Sequence, residues 1–447
     1  MKPCGGLRVI GVVLSARYYM NLIGCFRLRF YLFLLIVCCS SSGWAAPRTM
    51  LRKSALREGP GSFYPVVVKL DKGTLVNVTE PRGGWFKVSC QQQQGWLPKS
   101  AFQEVRKGLD YAGLLNSEKA VVISSVDIAA ATKGAFEAKY SEGYKANFAL
   151  VDSLDKLSID PMQVSFLLNT LNAGSSAVLS SLPRQMYENN IIIQRDAETL
   201  LGRAMTATLV TPGFVDDKNL IEYVNSVAAV VGMKTPRYDV PFRVAVIDDE
   251  SVGGYGLPGG YIVVTKGLLD QVKSEAELAC LLAHEMAHIC LFHGLREFNK
   301  RGTHRKSDSA FAELDSAMGE DRDDPFADLN ALTGDTTSAA IENDLNRLAN
   351  TSYLKIIGQR AREDELEADL YGAAYASAAG YDPRALITCL ERVRRNGEIE
   401  DSFRHHPSLD DRILGLQNGL KRYRLVQRGQ SLKKDRYREK TVKFCGM

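Results

Sequence analysis

Two histidines and a glutamate stand close together in CLLAHEMAHICLFHG, residues 280–294. His284 and His288 are four positions apart in a chain with only six histidines, which makes their spacing a specific signal. Residues at i and i+4 share one face of an α-helix, so both imidazoles can point at one metal ion. Two neutral imidazoles suit Zn²⁺, and Glu285, one position further round the helix, can contact a water on the metal. The segment predicts a zinc site, and the competing interpretation is a pair of hydrogen-bonded core histidines.

A catalytic zinc site of this type needs a third protein ligand. His293 follows His288 by five positions, about 140° round a continuous helix, so we expect it to point away from the metal. The segment EDELEADLYGAAYASAAGYDP (363–383) offers a carboxylate instead, because Glu365 and Asp369 share a helical face. Glu365 can bind zinc while Asp369 accepts a hydrogen bond from a ligand histidine. The competing interpretation is that either acid, taken alone, is a solvated surface charge.

The surrounding pattern indicates the elements that must position these groups. Ser274 and Glu277 form a capping box that begins a helix, and Gly294 ends it, so the histidine pair lies inside that helix. Two segments are typical of strands, and the second leads into a helix: YDVPFRVAVID (238–248) and GGYIVVTKGLL (259–269). The region 195–424 is therefore predicted to be a mainly helical domain with a small β-sheet.

This region resembles the gluzincin zinc metallopeptidases, the family of the CAAX prenyl proteases and of bacterial envelope quality-control proteases. The resemblance rests on motifs in the family's order: LPGGYIVVTKGLL (257–269), HExxH at 284–288, Glu365 to Asp369 with Gly372, GYDP (380–383) and HPSLDDR (406–412). It implies an α+β fold and one zinc ion per chain. It also implies a role for each of seven residues: His284, His288 and Glu365 as zinc ligands, Glu285 as general base, Asp369 as partner of a ligand histidine, and His406 and Arg412 as catalytic residues near the metal.

The role of His406 has two opposed interpretations. A histidine near the metal can donate a hydrogen bond to the developing oxyanion, which would assist turnover. It can also fill the open coordination position of a resting enzyme and leave when substrate enters, which would make the loop around it a gate.

The resemblance further implies a substrate-binding strand. In zincins an edge strand beside the active helix takes the substrate in extended form through backbone hydrogen bonds. The matching strand here is GGYIVVT (259–265), with four substrate-binding residues: Gly260, Tyr261, Ile262 and Val263. The competing interpretation is an ordinary core strand. Many relatives have Asn-Ala where this chain has Gly253 and Gly254, a departure at the side-chain contact to the substrate backbone.

Residues 50–104 show short alternating runs between Gly, Pro and Asp turn signals, which predicts a small antiparallel β-barrel. This stretch resembles the bacterial SH3-like domain in five places: Leu56-Arg57, GPGSFYPV (59–66), Gly73, GGWFKV (83–88) and GWLP (95–98). Such domains bind cell-wall peptides or dock on their own catalytic domain, so the resemblance implies a targeting module. The competing interpretation is that Trp85 and Trp96 only fill the core.

The first 46 residues contain five basic residues and no acidic residue, and they include the apolar run FYLFLLIVCC (30–39). This pattern predicts a signal peptide or membrane anchor and a protein exported to the bacterial periplasm or cell envelope. A cleaved signal is favoured, and three alternatives stay open: an uncleaved anchor, a lipid at Cys38 or Cys39, and an organellar transit peptide. No later stretch reaches 18 apolar residues.

The formal net charge of +4 falls to about −1 without this leader, which gives no reason to expect nucleic-acid binding. Five cysteines follow the leader: Cys90, Cys280, Cys290, Cys389 and Cys445. Their wide spacing predicts neither a disulfide scaffold nor a metal knuckle. We expect most of them to be buried, with room for one disulfide.

Three further segments have weaker signals. Residues 105–194 are Ala- and Ser-rich with helical periodicity, which predicts a helical connector. The acidic stretch 306–344 is typical of a lid over a cleft or of a solvated insertion. The basic segment 425–447 predicts a tail that is either solvated or in contact with anionic lipid, so membrane association stays open.

These observations predict an exported zinc metalloendopeptidase that cleaves misfolded or unassembled cell-envelope proteins. The alternative is a cell-wall-binding or chaperone-like envelope protein with a silent or structural zinc site. Glu285 argues against it, because a structural zinc site needs no general base. An amidase of cell-wall peptides would share the zinc chemistry but not the family resemblance.

Overall fold

The computed structural model describes residues 46–103, 122–123, 147–171, 182, 192–193, 195–210, 213–295, 362–396, 407–427 and 431–442. These residues form two compact units, one containing 46–60 and 66–103 and the other containing 61–65 and everything described from 122 onward. Four of the predictions above fall outside the described residues: the leader, the acidic stretch 306–344, His406 and Cys445.

The first unit is a six-stranded antiparallel sheet, which confirms the fold class expected for it. Its strands are β1 (Ala46–Thr49), β2 (Ser54–Arg57), β3 (Val66–Leu70), β4 (Leu75–Arg82), β5 (Trp85–Cys90) and β6 (Gln93–Pro98), in the order β1-β4-β5-β6-β2-β3. Alternation along β4 buries Val76 and Val78 in the core of this unit. Gln91 and Gln92 both have positive φ, as the two-residue hairpin turn between β5 and β6 requires.

The second unit is mainly helical. Its helices are α1 (Phe148–Asp155), α2 (Pro161–Thr170), α3 (Arg195–Leu209), α4 (Lys218–Gly232), α5 (Lys266–Gln271), α6 (Glu275–Cys290), α7 (Arg362–Ala379), α8 (Arg384–Asn396), α9 (Leu409–Arg422) and α10 (Lys434–Thr441). A two-residue parallel pair joins β7 (Val122–Ile123) and β8 (Ile192–Ile193), and three strands form a mixed sheet: β9 (Arg243–Ile247), β10 (Gly254–Leu257) and β11 (Tyr261–Thr265). Among the described helices, none is long and apolar enough to cross a membrane.

The order of the mixed sheet is β10-β11-β9, so β11 lies in the middle. It pairs antiparallel with β10 on one side and parallel with β9 on the other. Both of its edges are therefore occupied, and every residue of Tyr261–Thr265 is buried. The prediction that 259–265 is the edge strand is wrong, and the competing interpretation as a core strand is confirmed for it. The outer strand on this side of the described sheet is β10.

Helix α6 lies at the centre of the core of the second unit, with α4, α7 and α8 packed around it. Helix α7 approaches it closely because small residues fill the segment after Tyr371. A Cβ atom at Gly372 would lie 2.7 Å from the backbone nitrogen of His284, so only glycine fits there. This contact fixes the register between the two helices and places the start of α7 beside the histidines.

The segment predicted as a basic tail is partly folded into this unit. Leu425 and Tyr437 belong to its main core. Arg436, on α10, pairs with Glu275 at the start of α6, 161 positions earlier in the chain. Glu275 is fully buried and also accepts hydrogen bonds of 2.8 Å from the hydroxyls of Tyr223 and Tyr381.

Candidate metal centre and active site

The helix that carries the histidines begins as the sequence predicts. Ser274 accepts the N–H of Glu277 at 3.2 Å, and the Glu277 carboxylate reaches back to the N–H of Lys273 at 2.8 Å. The Ser274 contact is the N-cap half of a capping box and satisfies a backbone donor of the first turn, whereas the Glu277 contact goes to the residue before Ser274. The regular helix then runs to Cys290 and holds His284 and His288 on one face.

Three potential ligand atoms converge beside this face. The Nε2 atoms of His284 and His288 are 3.1 Å apart, and carboxylate oxygens of Glu365 lie 3.5 Å and 3.3 Å from them. All three side chains are buried. Ligands at roughly 2.0–2.2 Å from a tetrahedral zinc lie about 3.4 Å from one another, so these separations fit a zinc ion between them. The structure thus brings together the three predicted ligands, and their donor set is that of a catalytic zinc.

His284 has a charged partner behind its ring. Its Nδ1 lies 3.0 Å from Asp369, which is itself buried. Burial lowers the pKa of His284, but the hydrogen bonds with Asp369 and Glu365 outweigh it and raise the pKa to about 9. Asp369 therefore occupies the position predicted for it, where it can orient the ring and increase the basicity of the ligand nitrogen.

Arg412 contacts the carboxylates of this cluster. It donates two hydrogen bonds to Asp369, from Nε at 2.8 Å and from Nη2 at 2.6 Å. Its Nη1 lies 3.5 Å from Oε2 of Glu365. Burial raises the pKa of Asp369, but the charge of Arg412 outweighs it and lowers that pKa overall. The described contacts of Arg412 therefore indicate that it holds the Asp369 carboxylate in place. The residue predicted beside it, His406, lies outside the described residues.

Glu285 lies beside the ligand set with one oxygen anchored. Its Oε2 accepts the N–H of Gly256 at 2.6 Å, and its Oε1 is 4.0 Å from the Nε2 of His284. Strand β10 can come this close because Gly256 has no side chain: a Cβ there would be 2.3 Å from the carbonyl oxygen of Glu285. The carboxylate is therefore held next to the metal position by a backbone group, as a general base requires.

His293 lies where the sequence analysis did not expect it. Its Nδ1 is 2.8 Å from the Nδ1 of His288, and its Nε2 is 3.1 Å from Glu367. The prediction that it points away is wrong because it assumed a continuous helix. The regular helix ends at Cys290, and Phe292, at φ +56°, turns the chain back towards His288. A residue that can adopt a left-handed conformation near a helix end was the only signal, and it is weak for phenylalanine.

A buried ion pair next to this turn was also missed. Arg237 and Glu198 form two hydrogen bonds of 2.6 Å. The same guanidinium donates to the carbonyl of Ile289 at 3.3 Å and lies 4.8 Å from the ring centroid of Phe292. Arg237 thus supports the end of α6. Nothing in the local sequence pairs residues 39 positions apart.

Four of the five cysteines beyond the leader are described, and each is buried and free: Cys90, Cys280, Cys290 and Cys389. Burial raises the pKa of Cys290 to about 11. Among the described cysteines the expected burial is confirmed, and none of them forms a disulfide.

Comparison with known proteins agrees with this geometry. Residues 215–419 match Peptidase family M48, and residues 53–103 match the bacterial SH3 domain. The first range contains the three converging ligands and Glu285, and the second contains most of the six-stranded sheet.

Named relatives match a little under half of the chain. The beta-barrel assembly-enhancing protease of Escherichia coli K12 is 25% identical over 210 residues, which cover 46% of this chain and 39% of that protein. The mitochondrial metalloendopeptidase OMA1 of Arabidopsis thaliana is 28% identical over 200 residues, covering 43% of this chain and 36% of that protein. The chain thus spans about two fifths of the length of these relatives. It carries a bacterial SH3 domain followed by a domain of Peptidase family M48.

Proposed function

We propose that this chain is a zinc-dependent metalloendopeptidase. The observation that carries the proposal is the position of Glu285, held by the N–H of Gly256 beside the converging His284, His288 and Glu365. A purely structural zinc site would need no such carboxylate. Zinc bound by these three residues would supply a Lewis acid that polarises the scissile carbonyl and lowers the pKa of water at the site.

The protein's own groups supply the proton transfers and the alignment. Glu285 accepts a proton from the attacking water and passes it to the leaving amine. Its anchored Oε2 keeps the carboxylate from rotating away, which leaves Oε1 on the side of the ligand set. Asp369 holds His284 in the tautomer that presents Nε2, and Arg412 holds Asp369.

The substrate is proposed to bind along β10. Because β11 is enclosed between two strands, the residues first expected at the substrate, Gly260 to Val263, cannot add another strand. Strand β10 is the outer strand of the described sheet on the side of Glu285, and its Gly256 N–H donates to the Glu285 carboxylate. An extended peptide paired with β10 would gain affinity from backbone hydrogen bonds without strict sequence selection.

The proposed setting is the bacterial cell envelope, with misfolded or unassembled envelope proteins as substrates. Support comes from the basic, apolar leader of the sequence and from the bacterial relatives, which are named beta-barrel assembly-enhancing proteases. The bacterial SH3 domain supports an additional contact with cell-wall peptide. A cleaved signal is the favoured interpretation of the leader, and attachment to the membrane by an uncleaved leader or a lipid is the alternative.

Glu285→Gln tests the activity. The amide can still accept the N–H of Gly256 but cannot take a proton, so we expect hydrolysis of casein to fall by roughly 10³-fold or more with one zinc retained per chain. Zinc content and casein cleavage should be measured together. Glu363→Gln, an exposed change at the start of α7, is the control and should behave like wild type. Unchanged turnover in Glu285→Gln, or a zinc-loaded wild type that cleaves no protein, would contradict the proposal.

A further inference from the structure

A line of three side chains leads away from the metal position behind His288. The Nδ1 atoms of His288 and His293 are 2.8 Å apart, and the Nε2 of His293 is 3.1 Å from Oε2 of Glu367. The side chains of both histidines are 2% exposed and that of Glu367 is 9% exposed. Both contacts are therefore made away from bulk water, where hydrogen bonds are strong and misplaced protons are costly.

Proton positions along this line follow from one condition. If zinc takes the Nε2 of a neutral His288, the proton of that ring must be on Nδ1. His288 then donates to the Nδ1 of His293, so His293 carries its own proton on Nε2. That proton points at Glu367, which accepts it. Each ring has one donor and one acceptor in the required place, and the line ends on a carboxylate.

Two structural features bring these three side chains into contact. The left-handed conformation of Phe292 turns the chain so that His293 lies under His288, and the guanidinium of Arg237 stacks over the Phe292 ring. Helix α7 supplies Glu367 two positions after Glu365, so the same turn of one helix delivers a ligand to the metal and an acceptor to the line behind it. The arrangement thus joins both helices of the site.

A second cation between His293, Asp364 and Glu367 is the competing interpretation, since these residues also offer clustered ligand atoms. A metal on the Nε2 of His293 would place the proton of that ring on Nδ1, facing His288. The Nδ1 of His288 would then have to accept, and its Nε2 would carry a proton in place of zinc. Occupation of the first site therefore disfavours a cation in the second.

We propose that His293 and Glu367 form a hydrogen-bond relay that fixes the tautomer and orientation of His288 for zinc. This rests on the zinc site of the proposed function. Both are positioning residues, because they reach the metal only through His288.

Zinc affinity of the full chain, measured by competition with a chromogenic chelator, tests the relay. His293→Ala should weaken zinc binding by about 10 to 100-fold, the usual cost of losing a partner behind a ligand histidine. His293→Asn places an amide oxygen near the position of Nδ1 and should restore affinity to within about threefold of wild type. Glu367→Ala removes the end of the relay and should weaken binding, whereas Glu363→Ala, exposed on the same helical turn, should not.

Melting of the zinc-free proteins shows whether each variant is folded. If His293→Ala does not fold, the contrast between His293→Asn and Glu367→Ala decides. Wild-type affinity in His293→Ala, or equal losses in the Ala and Asn variants, would overturn the relay. A second zinc equivalent that Glu367→Ala abolishes would overturn it in favour of a cation site. A wild type that binds one zinc without cleaving casein would refute the peptidase and leave the relay to be judged by affinity.

Discussion

Two buried arginine–carboxylate pairs in the second unit have nearly the same geometry. Arg412 and Asp369 form hydrogen bonds of 2.6 and 2.8 Å, and Arg237 and Glu198 form two of 2.6 Å. In both pairs burial raises the pKa of the carboxyl group, but the neighbouring arginine outweighs it and lowers that pKa overall. From these distances and pKa shifts alone, the two pairs would be expected to contribute equally to the stability of the fold.

They differ in the third partner of the carboxylate. Asp369 contacts the ring of His284 at 3.0 Å, so its pair acts on a metal ligand. Glu198 instead accepts the N–H of Gly259 at 3.1 Å, in the turn that leads into β11. On the proposed function, the same interaction therefore serves zinc binding in one place, and it supports the local architecture in the other. The hydrogen bonds between the arginine and the carboxylate do not reveal the role of a buried pair, whereas the third partner of the carboxylate does.

Asp369→Ala should have the largest effect on this comparison. It leaves Arg412 buried without its carboxylate, which costs about 3–5 kcal/mol of unfolding free energy. It also removes the partner of His284 and should weaken zinc binding by about 10 to 100-fold. Chemical denaturation and chelator competition measure the two effects. Asp410→Ala, from an exposed pair with Arg394, should change neither. Normal zinc affinity in Asp369→Ala would remove the distinction between the pairs.

Glu198→Ala should separate the two effects. Arg237 is stranded in the same way, so the unfolding free energy should again fall by about 3–5 kcal/mol. Zinc affinity should stay within about threefold of wild type, because no metal ligand loses its direct partner. The same two assays apply. If Glu198→Ala lost as much zinc affinity as Asp369→Ala, the contacts of Arg237 with the end of α6 would also be needed for zinc binding.

Acid pH should give the smallest effect. A carboxyl group whose pKa is lowered on folding stabilises the protein above its ordinary pKa, and this contribution is lost as pH falls. For Glu198 the loss begins near its ordinary value of 4.5 and continues through its lowered pKa. The zinc-free wild type should therefore lose stability more steeply below about pH 4.5 than zinc-free Glu198→Gln. If the unfolding free energies of the two proteins fell equally with pH across this range, the prediction would be contradicted.

Local periodicity predicts which side chains of the candidate metal site share a helical face, but the choice of Glu365 as the third ligand also needed the family resemblance. His284 and His288, and likewise Glu365 and Asp369, are each spaced by four on a helix, and the structure brings the two pairs together. Such spacing is informative because a helix converts it directly into a shared face. The N-cap at Ser274 is equally local, and its hydrogen bond with the N–H of Glu277 is present.

Features that depend on long-range pairing or on an unusual turn could not be predicted in this way. Strand β11 is central because β9 pairs with it in parallel, a contact that its own sequence does not encode. His293 reaches His288 only because Phe292 adopts a conformation uncommon for its residue type. For His293 the error came from extending a regular helix past its real end, whereas for β11 it came from a pairing partner that lies outside the strand's own sequence.

The contact between Arg436 and Glu275 has a consequence for the order of events during synthesis. Glu275 begins the helix that carries both zinc histidines, and its buried charge is met by an arginine made 161 residues later. A growing or partly translocated chain that lacks α10 therefore has an uncompensated carboxylate at the root of that helix, which opposes its burial. We therefore expect the helix that carries His284 and His288 to reach its final packing only after the segment containing Arg436 has been made.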